Sequence, residues 1–399
     1  MFTPSQKMLS NYAHVLTDFA LGSGEGIKKG EVIFVQFDSP ALPLAQEVYR
    51  AILEKGAHPI VKMNEDSFSK IFYDVASDAQ LEFFPKKYQK SLIETMDHRM
   101  YLMADRDPLY LKGVDPVKMM KANKSRKTLK KWLDQKEDAG KMTWTLCLYG
   151  TPGMAKQAGL SLTEYWEQIA AACFLEEKNP IAKWQEVFTK VEQTMKKLNA
   201  LPIDKLHVVA NKTDLWISMG EKRKFIGGSG RNIPSFEIFT SPDWRGTNGH
   251  VYFDFPLYRY GNIIEDISLE FKNGHVVNAS ARKNENLIKE LIKQKNADKM
   301  GEYSLTDRRF SKITKFMANT LFDENYGGEY GNTHLALGSS YHDTFTGNAK
   351  KLKDADWAKL GYNSSAEHTD IIAKQDRMVT AVMRDGSEKV IYKGGQFTL

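Results

Sequence analysis

The chain has 399 residues, of which 42% are hydrophobic and 27% are charged, the balance of an ordinary folded globular protein. It has two cysteines, no stretch near the ~20 apolar residues of a membrane span, and no apolar core behind Met1 that would form a secretory signal. These features argue against a disulfide scaffold and a membrane-spanning protein, so we expect a cytoplasmic protein with no membrane partner.

The first half of the sequence alternates between strand and helix patterns. A buried strand is predicted at residues 32–37, then a helix with apolar residues from Leu44 to Leu53, then a strand at 59–63. This order favours a parallel pair of strands joined by a helical crossover. The alternation continues with strands at 143–149 and 206–210 and a helix opened by Asn179-Pro180. We therefore predict an N-terminal α/β domain over residues 1–222 with a largely parallel sheet.

One dense basic run in this half contains no acidic residue. Its cations are Lys118, Lys121, Lys124, Arg126, Lys127, Lys130 and Lys131. Such a run can contact phosphate backbones, but nucleic-acid-binding proteins usually add interleaved aromatic residues or a recognised motif. Only Trp132 stands near the run, so a solvated helix face is favoured and no nucleic-acid partner is predicted. Nucleic-acid binding is the less favoured alternative.

The pattern changes near residue 222. Short alternating strands follow a glycine-rich stretch at 227–230, and Asn273-Gly274 and Asp385-Gly386 are typical hairpin turns. Helices are predicted at Glu285–Gln294 and around Ile313 to Leu321. The pattern predicts an α+β, mainly antiparallel C-terminal domain over residues 223–399, and the residues suited to metal binding all lie within it.

These candidate metal ligands are acidic and imidazole side chains: Glu237, Glu302, Glu324, His334, His368 and Asp370. In an extended segment, the two-residue spacing of His368 and Asp370 puts both on one face, where they can share one ion. Imidazole with carboxylates suits Zn²⁺, Mn²⁺ or Co²⁺, and a carboxylate can bridge two ions about 3.5–4 Å apart. Singly, each residue is ordinary, since a lone Glu is usually a solvated surface residue.

Several strings in this half resemble, in order, those of the aminopeptidase T, AmpS and PepS family of metalloaminopeptidases. They are Ile233–Asp243, Met300–Glu302, Leu321–Asn325, His334–Gly338, Tyr341 and His368–Asp370. The resemblance extends more weakly over the whole chain. It implies that Glu237, Glu302, His334, His368 and Asp370 are metal ligands. It also implies that Tyr341 is the catalytic tyrosine, a residue that would otherwise be interpreted as a packed aromatic.

The position of a further carboxylate ligand has two interpretations. Shorter family members have few residues between the Asp-Glu-Asn string and the histidine, whereas Tyr326–Asn332 widens the gap here. Glu324 stands in the matching string, and Glu329 has the sequence distance to His334 that fits the shorter form. We favour Glu324.

The resemblance implies a metal-dependent exopeptidase that holds two divalent ions per subunit, with zinc, cobalt or manganese expected. A hydroxide held between the ions would attack the peptide carbonyl, with Glu302 as the bridging carboxylate and Tyr341 as donor to the oxyanion. The expected partners are short peptides with free N-termini and a second copy of the chain in a homodimer. A two-metal phosphoesterase is the alternative, because similar side-chain sets also support phosphoryl chemistry.

Overall fold

The computed structural model describes residues 2–111, 113–228, 230–259, 261–349 and 352–399. Its helices are α1 (Gln6–Val15), α2 (Leu42–Glu54), α3 (Asp66–Val75), α4 (Asp78–Glu82), α5 (Lys86–Thr95), α6 (Pro116–Ser125), α7 (Lys127–Asp138), α8 (Pro152–Gln157), α9 (Leu162–Ala172), α10 (Pro180–Asn199), α11 (Glu285–Lys293), α12 (Thr320–Asp323) and α13 (Asp354–Lys359). Among the described residues, none of the helices combines the length and the apolar character needed to span a bilayer.

The strands run from β1 near the N-terminus to β19 at the C-terminus. They are β1 (Val32–Asp38), β2 (His58–Asn64), β3 (His98–Met103), β4 (Thr143–Leu148), β5 (Ile203–Ala210), β6 (Thr213–Ser218), β7 (Ile226–Gly227), β8 (Asn232–Ile233), β9 (Glu237–Thr240), β10 (Asp243–Phe253), β11 (Leu257–Arg259), β12 (Asn262–Lys272), β13 (His275–Lys283), β14 (Met300–Thr306), β15 (Asn332–Gly338), β16 (His368–Ala373), β17 (Arg377–Met383), β18 (Glu388–Lys393) and β19 (Gln396–Phe397).

The chain forms two compact units, Met1–Gln185 with Ser229–Pro234, and Glu186–Gly228 with Ser235–Leu399. In the first unit, a parallel sheet has the strand order β2-β1-β3-β4-β8. Parallel pairing of β1 with β2, separated in the chain by α2, is confirmed. The run of β1 is almost continuously apolar because a strand inside a parallel sheet is covered on both faces. The domain boundary predicted at residue 222 stays a prediction.

The second unit contains two antiparallel sheets, as the alternating pattern of the C-terminal half predicts. One has nine strands, in which β5 pairs with β6 and β17, so the predicted strand at 206–210 lies in an antiparallel sheet. The other has the order β16-β15-β14-β9-β7. The Asn273-Gly274 turn joins β12 to β13, and both residues have the positive φ that such a tight hairpin requires. The five-stranded sheet is the one that positions the candidate ligands.

The prediction of a helix around Ile313 to Leu321 is wrong. Only the short helix α12 forms, from Thr320 to Asp323, and the preceding residues are irregular. The Asp323 carboxylate accepts hydrogen bonds from the backbone N–H groups of Met317 (2.8 Å) and Asn319 (3.0 Å). A side-chain acceptor that takes these N–H groups competes with the helical bonding that the apolar spacing predicts.

Both cysteines, Cys147 and Cys173, are free and buried, which agrees with the argument against a disulfide scaffold. Cys173 lies beside the hydroxyl of Tyr12, with 3.6 Å between sulfur and oxygen. Burial raises the pKa of the Cys173 thiol to about 12 and also raises the pKa of Cys147. Thiols held protonated in this way are weak nucleophiles, so the pair belongs to the core of the first unit.

The basic run extends over α6 and α7, and two of its lysines have partners within the first unit. The ammonium of Lys118 donates to the carbonyl oxygen of Tyr73 at 2.7 Å, and that of Lys121 contacts Asp78 at 2.5 Å. The other cations of the run are exposed, which agrees with the solvated helix face that the sequence predicts.

Candidate metal centre

Four adjacent strands of the five-stranded sheet carry five of the six predicted ligands. They are Glu237 on β9, Glu302 on β14, His334 on β15, and His368 and Asp370 on β16. Side chains alternate between the two faces of a strand, and residues opposite each other in an antiparallel pair share a face. The register of these strands therefore decides whether the five side chains meet.

The register places them on one face. Glu302 lies opposite Ala336, which lies opposite Asp370, so these three form one row across β14, β15 and β16. The neighbouring row pairs Ser304 with His334. Since the rows are two residues apart along each strand, both point to the same side. The small side chain of Ala336 leaves space between the carboxylates of Glu302 and Asp370.

Glu237 joins this face from the start of β9. It lies opposite Thr306, two residues beyond Ser304 on β14. The Ser304 hydroxyl donates a hydrogen bond to Oε2 of Glu237 at 3.1 Å. Ser304 therefore orients one candidate ligand from the strand that carries another.

The carboxylate of Glu302 lies between two groups of candidate metal ligands, His334 with Glu237 and His368 with Asp370. Its Oε1 is 3.0 Å from Nε2 of His334, which is also 3.3 Å from Oε2 of Glu237. Its Oε2 is 3.6 Å from Nε2 of His368, which is 3.3 Å from Oδ1 of Asp370. Each oxygen of the Glu302 carboxylate therefore faces a different histidine.

The orientation of His368 fits metal binding. Its Nδ1–H donates to the carbonyl oxygen of Ser339 at 2.8 Å, which fixes the tautomer. In the neutral ring, Nε2 then directs a lone pair toward the carboxylates of Glu302 and Asp370, so a cation is needed between them. Metal-binding histidines commonly donate their second ring nitrogen to a carbonyl in this way.

The charges of the cluster also fit a cation. Glu237, Glu302 and Asp370 are all at least 92% buried, with exposures of 7%, 3% and 8%. Burial and the neighbouring Glu302 raise the pKa of Glu237. Burial acts against protonation of His334 and His368, yet the surrounding carboxylates raise the pKa of each to about 9. Buried carboxylates require positive charge, and a divalent metal bound to neutral imidazoles would provide it.

Tyr341 lies at the edge of this cluster, in the loop after β15. Its ring contacts the ring of His368 edge-on, with 4.8 Å between centroids, and packs against Phe239 at 5.8 Å. Its backbone N–H donates to the hydroxyl of Ser241 at 2.8 Å. The side chain is 45% exposed overall, but loss of solvent around the hydroxyl, followed by the Glu302 carboxylate, raises the pKa of Tyr341. The phenol therefore stays protonated near neutral pH and is available as a hydrogen-bond donor.

The two candidates for a further carboxylate ligand lie in different surroundings. Glu324 directly follows α12 and is 8% exposed, and its carboxylate contributes to the raised pKa of Tyr341 behind burial and other acids. Glu329 is exposed, and its backbone carbonyl accepts a hydrogen bond from Arg308. Glu324 is therefore the buried member of the pair, and Glu329 is the exposed one.

Three groups that support the site are not predicted from the sequence: the hydroxyl of Ser304, the carbonyl of Ser339 and the amide of Asn325. Ser304 could have been found from the sequence, because it lies two residues after Glu302 in a strand and so shares a face with it. The role of the Ser339 carbonyl could not have been found from the sequence, since every residue has a backbone carbonyl. Asn325 is fully buried and links two ligand-bearing segments. It accepts from the N–H of Phe236 at 2.6 Å and donates to the carbonyl of Leu321 at 3.0 Å.

Replacing Asn325 by alanine is expected to destabilise the fold by about 1–3 kcal/mol, because the buried N–H of Phe236 loses its acceptor. Chemical denaturation measures the free energy of unfolding. The matched control is Asn278→Ala at an exposed position, with an expected change within about 0.5 kcal/mol. Equal effects of the two substitutions would show that the Asn325 link contributes nothing special.

Comparisons with known proteins give the relationship of this chain. Residues 5–397 match the model of the thermophilic metalloprotease (M29) family. The chain is 29% identical to aminopeptidase AmpS of Bacillus subtilis (strain 168), over 98% of each protein. It is 27% identical to aminopeptidase 2 of Geobacillus stearothermophilus, again over 98% of each.

A solved structure agrees with these sequence relatives. Wild-type AmpT from Thermus thermophilus superposes with a TM-score of 0.84 at 22% identity, covering 99% of this chain and 100% of that one. At this identity the superposition shows a shared fold. The match to the family model covers nearly the whole sequence, so the chain belongs to the thermophilic metalloprotease (M29) family.

Proposed function

We propose that this chain is an aminopeptidase that removes N-terminal residues from short peptides with two bound divalent ions. The proposed ligands are Glu237, Glu302, Glu324, His334, His368 and Asp370. The observation that carries the proposal is the Glu302 carboxylate, whose two oxygens face His334 and His368 separately. The named relatives support the reaction type, since AmpS and aminopeptidase 2 are aminopeptidases by name.

The proposed chemistry divides between the ions and the chain. Bound divalent ions would lower the pKa of water from 15.7 to about 7 and polarise the scissile carbonyl. The Glu302 carboxylate stands between His334 and His368, and the Ser304 hydroxyl orients the carboxylate of Glu237 by a hydrogen bond. Tyr341 keeps its phenolic proton and donates a hydrogen bond to the oxyanion that forms as the carbonyl is attacked.

The choice between the two further carboxylates has a direct test. Glu324→Gln is expected to lower metal occupancy or kcat by about tenfold or more, because this buried carboxylate is one of the proposed ligands. Glu329→Gln, at an exposed position in the same segment, is the matched control and is expected to change neither. Metal content by mass spectrometry and initial rates on an aminoacyl nitroanilide measure both. The reverse result would transfer the role to Glu329.

The exopeptidase proposal predicts cleavage only at free N-termini. A peptide should lose residues stepwise from its N-terminus, whereas its N-acetylated twin should stay intact, because acetylation removes the α-ammonium charge. Mass spectrometry of the two digests measures this. A folded protein is the third substrate, and we expect it to remain uncut. Internal cleavage of the acetylated peptide would contradict the proposal.

Three further properties are proposed with the activity. The ions are zinc, cobalt or manganese, in keeping with a mixed carboxylate and imidazole donor set. The chain acts as a homodimer, for which sedimentation at micromolar concentration is the measurement, and a monomer there would contradict it. The location is the cytoplasm, in keeping with two buried free thiols.

A further inference from the structure

Tyr341 lies in a loop, so strand pairing does not fix its position as it fixes that of the candidate ligands. It follows the end of β15 by three residues and directly precedes a short 3₁₀ turn at His342–Thr344. Its side chain is partly exposed and makes ring contacts with Phe239 and His368. A functional group has to be held within about 0.5 Å of its productive place. The backbone of Tyr341 must therefore be held by other groups.

Both backbone polar groups of Tyr341 are bonded to side-chain hydroxyls. Its N–H donates to the hydroxyl oxygen of Ser241 at 2.8 Å, and its carbonyl oxygen accepts from the hydroxyl of Thr344 at 2.8 Å. Ser241 and Thr344 are fully buried. Ser241 directly follows β9, the strand that begins with the candidate ligand Glu237. The backbone of Tyr341 is thereby attached to the sheet that carries the metal cluster.

Ser241 is in turn bonded by Arg223. Nε of Arg223 donates to the carbonyl oxygen of Ser241 at 2.6 Å. Nη1 donates to the carbonyl of Glu221 and Nη2 to the carbonyl of Leu360, each at 2.7 Å. A planar guanidinium has its donors in a fixed fork that suits three separate acceptors, whereas the ammonium of a lysine is a single compact group. Arg223 therefore connects Ser241 to the segment that contains Leu360.

The same guanidinium reaches Thr344 through a tyrosine. Cζ of Arg223 lies 3.6 Å from the centroid of the Tyr362 ring, a cation–π contact. The Tyr362 hydroxyl lies 3.3 Å from the hydroxyl oxygen of Thr344. Since Thr344 uses its only hydroxyl proton on Tyr341, Tyr362 is the donor of this bond. These contacts form a closed ring, whose members are in order Tyr341, Ser241, Arg223, Tyr362 and Thr344.

Backbone contacts support the same arrangement. Arg223 forms an isolated antiparallel bridge with Phe345, and the N–H of Lys224 donates to the carbonyl oxygen of Thr344 at 2.9 Å. The segment around Arg223 therefore runs beside the segment that follows Tyr341. A change at Arg223 acts on that segment directly as well as through Ser241.

We propose that Arg223 is a positioning residue for Tyr341. It acts through Ser241 on the N–H side of the tyrosine and through Thr344 on the carbonyl side. This role depends on the proposed function, in which the phenolic O–H of Tyr341 donates to the oxyanion. A misplacement of about 1 Å can lower a rate by roughly 10²-fold. A residue that shifts the tyrosine without replacing it therefore controls kcat.

The first test is Arg223→Lys, which keeps the positive charge and loses the fork of donors. We expect kcat on an aminoacyl nitroanilide to fall about tenfold or more, with KM and metal content unchanged, because the oxyanion loses a well-placed donor. The fall should not exceed that of Tyr341→Phe, which removes the donor completely. Arg384→Lys, at an exposed position, is the matched control and should leave all three quantities unchanged.

Combining the substitutions separates positioning from a general structural role. In the Tyr341→Phe background, Arg223→Lys is expected to change kcat by less than about twofold, since no hydroxyl remains to be misplaced. An equal fall in both backgrounds would show a structural role alone and would overturn the proposal. If Tyr341→Phe by itself leaves kcat unchanged, the proposed function of Tyr341 fails and its positioning residue with it. If Tyr341→Phe lowers kcat and Arg223→Lys does not, only the positioning role fails.

The Thr344 side of the ring provides a second comparison, which also applies if Arg223→Lys does not fold. Thr344→Val removes the hydroxyl that bonds the carbonyl of Tyr341, and Thr344→Ser retains it. We expect Thr344→Val to lower kcat by about tenfold and Thr344→Ser to stay within about twofold of the unmodified chain. Equal kcat values for the two variants would contradict the ring.

The position of Tyr341 can also be observed without any reaction. Crystal structures of the metal-loaded unmodified chain and of metal-loaded Arg223→Lys are expected to differ at the Tyr341 hydroxyl, by about 1 Å or by loss of defined density. Glu302 and His334 should coincide in the two structures, because strand pairing fixes them. A Tyr341 hydroxyl at the same place in both structures would overturn the proposal, whatever the activity of the chain.

Discussion

Substituting Glu302 by glutamine is expected to remove metal binding and peptidase activity together. The carboxylate offers Oε1 toward His334 at 3.0 Å and Oε2 toward His368 at 3.6 Å. Glutamine keeps the shape of the side chain but replaces one of these oxygens by an NH₂ group, which is a donor and cannot bind a cation. This one substitution therefore affects both sets of proposed metal ligands, the one at His334 and the one at His368.

The rate should fall by roughly 10³-fold or more, because water is no longer activated at neutral pH. Metal stoichiometry by mass spectrometry and hydrolysis of an aminoacyl nitroanilide measure the two effects. Glu270→Gln, at an exposed position of β12, is the control and should leave both at the level of the unmodified chain. In the unmodified chain, a chelator should abolish the activity and Co²⁺, Zn²⁺ or Mn²⁺ should restore it.

Two results would contradict this prediction in different ways. Full activity in Glu302→Gln with both ions retained would remove Glu302 as the bridging ligand. Full activity of the metal-free chain would remove metal dependence altogether. Loss of one ion with retention of the other would instead assign Glu302 to a single donor group.

The sequence predicts the local parts of this site because their spacing has a local cause. His368 and Asp370 are two residues apart, and a strand places such residues on one face, as β16 does. The sequence alone does not predict which strands become neighbours. Glu237 meets Glu302 through the antiparallel pairing of β9 with β14, across an intervening stretch that joins the other sheet. Only the resemblance to a known family connected these residues beforehand.

The same limit explains the errors. Ile313, Met317 and Leu321 recur every four residues and are all buried, which is the pattern of an amphipathic helix. The chain instead gives the N–H groups of Met317 and Asn319 to the carboxylate of Asp323. The spacing of apolar residues indicates which side chains are buried. It does not indicate whether a side-chain carboxylate, such as that of Asp323, takes the N–H groups that a helix would bond to its own backbone carbonyls.

Replacing Tyr341 by phenylalanine is expected to reduce kcat by about 10²–10³-fold, with little change in KM and no loss of metal. The ring stays in its edge-on contact with His368 and its packing against Phe239, so only the phenolic O–H is lost. That group keeps its proton near neutral pH because the ordinary pKa of a tyrosine is about 10. A donor that acts on the developing oxyanion contributes to the transition state and not to substrate binding.

The control for this variant is Tyr88→Phe, which removes the hydroxyl of an exposed tyrosine on α5 and should change no kinetic constant. The three measured quantities give each outcome a separate meaning. Lost metal in Tyr341→Phe would make Tyr341 a ligand, and a raised KM with an unchanged kcat would make it a substrate-binding residue. An unchanged kcat and KM would reduce it to a packed aromatic. A fall in kcat alone follows only if its hydroxyl bonds the oxyanion, because the ions and the packing of the ring are then the same in both proteins.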